Sequence, residues 1–179
     1  MNANTVLGFW FNEIDRKSWF AKDKLFDQHL LDHFGELHQA AAKGELYSWR
    51  LDASGRLAEI IVLDQFSRNI YRDSPLAFAT DTLSLCLAQE AVDRKFDQDL
   101  NPTEQAFLYM PYMHSESSVI HAEAMRLFAA PGLEDNFRFE KRHKNVIDQF
   151  GRYPHRNEIL GRVSTPEEVS FLSTPGSSF

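Results

Sequence analysis

The sequence is poor in the features that would mark several large classes of protein. It has one cysteine in 179 residues, Cys86, so no internal disulfide can form and a reducing compartment, the cytoplasm, is the expected setting. Set among Leu83, Leu85 and Leu87, Cys86 reads as a buried structural residue, because apolar surroundings raise a thiol's pKa and weaken it as a nucleophile. No run of 18 apolar residues occurs, and Met1-Asn2-Ala3-Asn4 offers neither a charged nor an apolar signal region, so neither membrane insertion nor secretion is expected. Lys and Arg total 19 against 26 Asp and Glu; the net charge of −7 argues against a nucleic-acid partner. Also missing are a phosphate loop, a dinucleotide fingerprint, a nucleophile elbow and a zinc-ribbon cysteine set. His29 and His33 have ligand-like spacing, but no Glu stands at the metalloprotease position and no third ligand is evident, so neither metal nor cofactor is expected. No Gly/Ser linker or low-complexity tract divides the chain, which reads as a single helical domain over 1–179 with a short frayed tail at 173–179.

What is abundant is phenylalanine, with 15 residues against five Tyr and three Trp. Phe has no polar handle, so the excess predicts a large core packed between helices. Helical periodicity dominates. A short helix is predicted over 5–15, and a longer one over 23–43 carries Leu30, Phe34, Leu37 and Ala41 on one stripe and stops at Gly44. Ser74-Pro75 predicts a helix start with Leu76, Ala79, Leu83 and Cys86 in phase; Asn101-Pro102-Thr103-Glu104 and Thr165-Pro166-Glu167-Glu168 read as further starts. Between Glu45 and Leu63 a strand competes, since Asp52-Ala53-Ser54-Gly55 reads as a turn and Ile60-Ile61-Val62 is β-branched; the length of the apolar pattern favours a helix from about Arg56.

Charged groups stand where the pattern predicts burial. On a helix over 57–72, Leu57, Ile61, Asp64 and Arg68 share one side while Val62, Leu63, Phe66 and Ile70 fill the other. Asp64 and Arg68 are spaced to pair as an internal salt bridge, and Arg68 and Arg72 could instead face a cavity whose ligand supplies negative charge. His143 interrupts the apolar stripe of Phe139, Val146, Ile147 and Phe150, where a hydrogen-bonded core histidine is the simpler reading. The stiff turn Phe150-Gly151-Arg152-Tyr153-Pro154-His155-Arg156-Asn157 gathers cationic and amide donors suited to an anion or to a structural clamp. In Tyr109-Met110-Pro111-Tyr112-Met113-His114-Ser115-Glu116, Pro111 interrupts a helix. His114 and Glu116 could be metal ligands or an acid/base pair, although Ser115 capping the next helix is the plainer reading.

The blocks LDQFSRNIYR from Leu63, FLYMPYMHSES from Phe107 and FGRYPHRNEILGRVSTPEEVSFL from Phe150 resemble the bacterial family called domain of unknown function 924. Ser67 departs from the resemblance, which places proline there. The resemblance implies an all-α fold of antiparallel helical hairpins in a compact, tetratricopeptide-like right-handed array, and brings no established activity. The matching polar positions are Asp64, Gln65, Arg68, Asn69, Arg72, His114, Glu116, His143, Arg152, His155, Arg156 and Asn157. If the three blocks converge, they form a pocket for the carboxylate or phosphate of a small molecule or peptide, a binding module on a helical scaffold. The alternatives are a small hydrolase or lyase, possibly metal-assisted, with catalytic candidates His114, Glu116 and His155, and a buried polar network with only a structural role.

Overall fold

Capping side chains set several of the helix starts. In the computed structural model, which describes residues 1–177, α1 (Ala3–Gly8) begins where the Asn2 side chain accepts from Thr5 N. Asp23 starts α2 (Lys24–Ala42) and Asp52 starts α3 (Ala53–Ile61) in the same way, by taking the free N–H groups of the first turn. A π turn over Val62–Phe66 continues α3 into α4 (Ser67–Ile70). Then come α5 (Asp81–Asp93), α6 (Pro102–Met113), α7 (Ser118–Phe128), α8 (Glu134–Phe150) and α9 (Pro166–Leu172). Asn101/Glu104 and Thr165/Glu168 both form the reciprocal capping boxes their spacing predicts. No strand occurs among the described residues, and the fold is all-α.

Helix α3 occupies the centre, packing against α1, α5 and α6, while α2 covers α4 and the π turn, and α6, α7 and α8 pack in succession. The phenylalanine excess is spent here. Phe9, Phe34 and Phe66 meet with ring centroids 4.8–6.3 Å apart, and Trp10 and Trp19 close on Phe107 at 5.6 and 4.8 Å. A smaller cluster of Val146, Ile147 and Tyr153, with Phe150 and Phe171, lies under the end of α8.

The structure differs from expectation at definite points. The first helix is α-helical only to Gly8 and then widens into a π turn over Phe9–Glu13, with Trp10 O accepting from Trp19 Nε1 at 2.9 Å. Asp52-Ala53-Ser54-Gly55 is a cap and first turn, so the helix starts at Ala53; Gly55 is required there because a Cβ would stand 2.0 Å from Trp49 O. Ser74-Pro75 starts only a 3-10 turn, Pro75–Phe78, and α5 begins at Asp81. That offset rephases the helix: Ser84, Leu87, Ala88 and Ala91 face inward and Cys86 is exposed, not buried. Ser115 caps nothing, since α7 starts three residues later. Of the tail expected to fray, Ser177 turns back so that its Oγ donates to Leu172 O at 3.0 Å; residues 178–179 lie outside the described residues.

Candidate functional site

The π turn is the local cause of the site. A turn closed by i→i+5 bonds is wider than an α-helical one and is a frequent device at functional positions. Here it carries Asp64 and Gln65 on a helix buried on every side. Asp64 is 0% exposed, and its Oδ1 lies 2.8 Å from Nδ1 of His114 and 3.2 Å from Arg68, while Oδ2 accepts from Gln65 Nε2 at 2.5 Å. Burial opposes its ionisation, but Arg68, His114 and Gln65 outweigh burial and hold the carboxyl well below the usual carboxylate range. An ionised carboxylate only accepts, so His114 must carry its proton on Nδ1 and leave a lone pair on Nε2. Burial, followed by the Arg68 charge, pushes the His114 pKa down against the opposing pull of Asp64, so the ring is neutral near pH 7. His114 is the C-cap of α6 and lines a hollow of about 350 Å³; its Nε2 has no hydrogen-bond partner among the described residues.

Two guanidiniums converge on Asp81, which lines the same hollow. Arg68 grips Asp81 through both terminal nitrogens, at 2.9 and 3.1 Å. Arg156 reaches the same carboxylate with one nitrogen only, at 3.3 Å, and donates to His114 O at 3.0 Å. Its guanidinium lies between Phe78 and Tyr153, 4.6 and 4.7 Å from the ring centroids, and its Nε is buried without a partner. Burial, reinforced by Arg68, weakens its hold on the proton, though a guanidinium stays charged at any physiological pH. Beside it, Glu116 accepts from Tyr153 N at 2.7 Å and from both terminal nitrogens of Arg162 at 2.7 and 2.9 Å.

The segment bearing His114 is gripped residue by residue. Tyr153 Oη donates to Met113 O at 2.5 Å, Arg156 to His114 O, and His121 Nε2 to Ser115 O at 2.9 Å. Since Ser115 O can only accept, Nε2 of His121 carries a proton, and its Nδ1 lies 2.6 Å from Glu140 Oε1. Both side chains are fully buried, and burial raises the Glu140 pKa against His121.

The structure thus brings together Asp64, Gln65, Arg68, His114 and Arg156, with Glu116 at the rim. Of the other residues singled out by the sequence, Asn69, Arg72, Arg152 and Asn157 find their partners elsewhere, while His143 and His155 lie against Tyr153, with ring centroids 5.8 and 5.5 Å away. Arg72 is bidentate on Asp27 at 2.6 and 2.7 Å, with Asn69 accepting from it at 2.9 Å. Arg152 is bidentate on Glu168 at 2.6 and 2.8 Å and lines a different hollow, with Gln149, Phe150 and Thr165, so Arg68 and Arg152 do not share one cavity. Asn157 donates to Glu168 and Ser164. His143 sits 2.8 Å from Phe139 O and burial lowers its pKa to about 3; for His155, burial and then Arg156 lower it to about 4. Ser67 donates to Leu63 O and meets His38 and Thr80. Asp81, Phe78, Tyr153, Arg162, His121 and Glu140 were not singled out for the site from sequence. Asp81 was hidden because a helix from Pro75 would have made it an ordinary solvated acid; the N-terminal preference for Asp at Thr80-Asp81 was the available signal.

These features define an all-α domain with a carboxylate-oriented histidine and paired guanidiniums beside a small hollow. The chain belongs to the family described as bacterial protein of unknown function (DUF924), whose profile matches residues 6–176. A solved structure described as a protein of unknown function from Agrobacterium tumefaciens is 37% identical, covers 96% of each chain and superposes with a TM-score of 0.91. No curated protein matches the chain.

Proposed function

We propose that the 350 Å³ hollow binds a small molecule bearing an anionic group, carboxylate or phosphate, which Arg156 holds. The observation that carries this reading is the unequal pairing of the arginines. Arg72, Arg152 and Arg162 each have a carboxylate gripped bidentately, so their charges are met within the chain and their role is to tie segments together. Arg156 shares an oxygen that Arg68 already uses, keeps a buried Nε unmet, and lines the hollow. A buried cation with unsatisfied donors is costly unless something completes its shell. The apolar wall of Phe78, Leu85, Pro111 and Leu160 suits the body of such a ligand, and the volume suits a metabolite-sized one.

A second reading rests on the Asp64–His114 pair: a neutral imidazole with its lone pair free beside a bound anion can take a proton from the ligand or from water, as a small hydrolase or lyase requires. The two readings use the same hollow and differ in whether turnover follows binding.

Thermal-shift titration with inorganic phosphate and with short mono- and dicarboxylates tests the binding step, because a ligand that binds only the folded chain raises its melting temperature. Arg156→Met keeps an unbranched side chain between Phe78 and Tyr153 while removing the charge. The wild type is expected to respond in a saturable way and the variant not to respond. Equal shifts in both proteins, or none in the wild type across the series, would overturn the reading.

A further inference from the structure

A larger hollow, about 640 Å³, opens where the ends of α5, α6 and α7 meet, with Asp93, Asp97, Tyr112, Val119, Glu123 and Arg126 in its wall. Two oxygens in that wall have hydrogen-bonding capacity that no described residue meets. Asp97 accepts the Tyr109 hydroxyl on Oδ2 at 2.7 Å, while its Oδ1 is buried with no donor. Tyr112 is 2% exposed as a whole residue, and its hydroxyl, which makes no hydrogen bond among the described residues, is not shut off from solvent as that oxygen is. A carboxylate has room for several donors, and leaving its buried oxygen unmet away from water is unfavourable, while the hydroxyl is free to take a ligand in place of water.

The missing partner is a donor, and its charge follows from the neighbours. Arg126 is committed to Glu123, with its Nε 3.0 Å from each carboxylate oxygen. That leaves Asp93 and Asp97 with Lys95 as the remaining cation of the wall. Burial, followed by the Glu123 charge, pushes the Tyr112 pKa up, so its hydroxyl stays neutral and can accept or donate. The turn that presents Asp97, Phe96–Asp99, follows Lys95 at φ 63, a left-handed conformation unusual for a side chain of that size. Val119, 75% exposed, and the half-buried Val92 and Ile120 line the same hollow with apolar surface. Among the described residues no group of three His, Cys, Asp or Glu side chains is placed to hold a metal ion, which points away from a metal cation and toward an organic one.

We infer that this hollow binds a small aliphatic amine, its ammonium group donating to Asp97 and Tyr112 and its methylene chain lying along Val92, Val119 and Ile120. A primary ammonium offers three donors and one positive charge, which is what an orphaned carboxylate oxygen and a free hydroxyl lack.

Isothermal titration with 1,4-diaminobutane and n-butylamine tests this, with n-butanol as the uncharged control and added salt matched throughout. The wild type is expected to bind the amines saturably and to ignore butanol. Asp97→Asn, which keeps the shape and removes the charge, should weaken binding at least about tenfold. Tyr112→Phe, which deletes a hydroxyl with no partner and therefore leaves the fold intact, should weaken it several-fold and stands in if Asp97→Asn does not fold. Arg156→Met should bind amines as the wild type does, which separates this site from the anion site. Absence of saturable amine binding in the wild type, or unchanged affinity in Tyr112→Phe, would overturn the inference.

Discussion

Nδ1 of His114, at the end of α6, stands 2.8 Å from Oδ1 of Asp64, fifty residues earlier in a π turn, and the carboxylate fixes which imidazole nitrogen carries the proton. The contact joins two of the three sequence blocks into one chemical unit. Asp64 is in turn neutralised by Arg68 and steadied by Gln65, so the pair is a network and not an isolated bond.

Asp64→Asn breaks this unit without changing its size. Asp64 raises the His114 pKa against burial and Arg68, so its loss should move the His114 midpoint further down, read from ring resonances during a pH titration. Stability should fall by about 2 kcal/mol or more in chemical denaturation, because a buried hydrogen-bonded charge is removed. An unchanged midpoint would mean that the carboxylate does not govern the ring.

Buried neutral histidines give stability a pH dependence of known sign. His143 and His155 have folded pKa values lowered to about 3 and about 4, against about 6.5 in the unfolded chain. The unfolded state therefore binds more protons below about pH 6.5, and stability is lost as pH falls from there toward about 4 for His155 and about 3 for His143. In the window from about pH 6 to 5 each histidine contributes a slope approaching about 1.4 kcal/mol per pH unit. His143→Gln should remove one such share of the slope, measured by denaturant titration at stepped pH; an unaltered slope would show that His143 does not titrate on unfolding.

Glu168 closes the C-terminal part of the chain on the turn that follows α8. It accepts from Arg152, Asn157 and Thr165 N, and Arg152, first among these, lowers its pKa to about 2. Because the folded value is depressed, its contribution is present above the unfolded carboxylate range and lost as pH falls from about 4.3 toward 2. Glu168→Gln should speed amide exchange in α9 by about tenfold or more near neutral pH, with the difference from wild type shrinking in acid. Equal exchange in both proteins would mean that α9 is held by its apolar contacts.

The all-α class was legible because periodicity and capping residues are local: Asp23, the Asn101/Glu104 box and the Thr165/Glu168 box work as their spacing dictates. So was the Asp64–Arg68 pair, since i,i+4 neighbours need no knowledge of the rest of the fold. Partner choice over longer distances was not legible. Nothing in the sequence distinguishes Arg152, which finds Glu168 sixteen residues away, from Arg156, which must share Asp81 with Arg68 across 75 residues. Asp81 escaped notice because the site depends on where α5 begins, and the proline at position 75 marked a shorter turn ahead of the true start. The π turns were invisible for a related reason, as their extra width comes from tertiary packing and leaves the apolar pattern nearly unchanged.

A wide turn over Val62–Phe66 amounts to one residue more than an uninterrupted α-helix would hold, and each residue advances the spiral by about 100°. Angular phase, as much as residue identity, thus decides that Asp64 looks toward α6 while Arg68 looks toward Asp81. Losing a single codon from this stretch would let the rod rewind into regular form. The scaffold would keep its length to within about 1.5 Å, and Arg68 beyond the turn its bearing, yet the stretch that carries the aspartate would no longer aim it at α6.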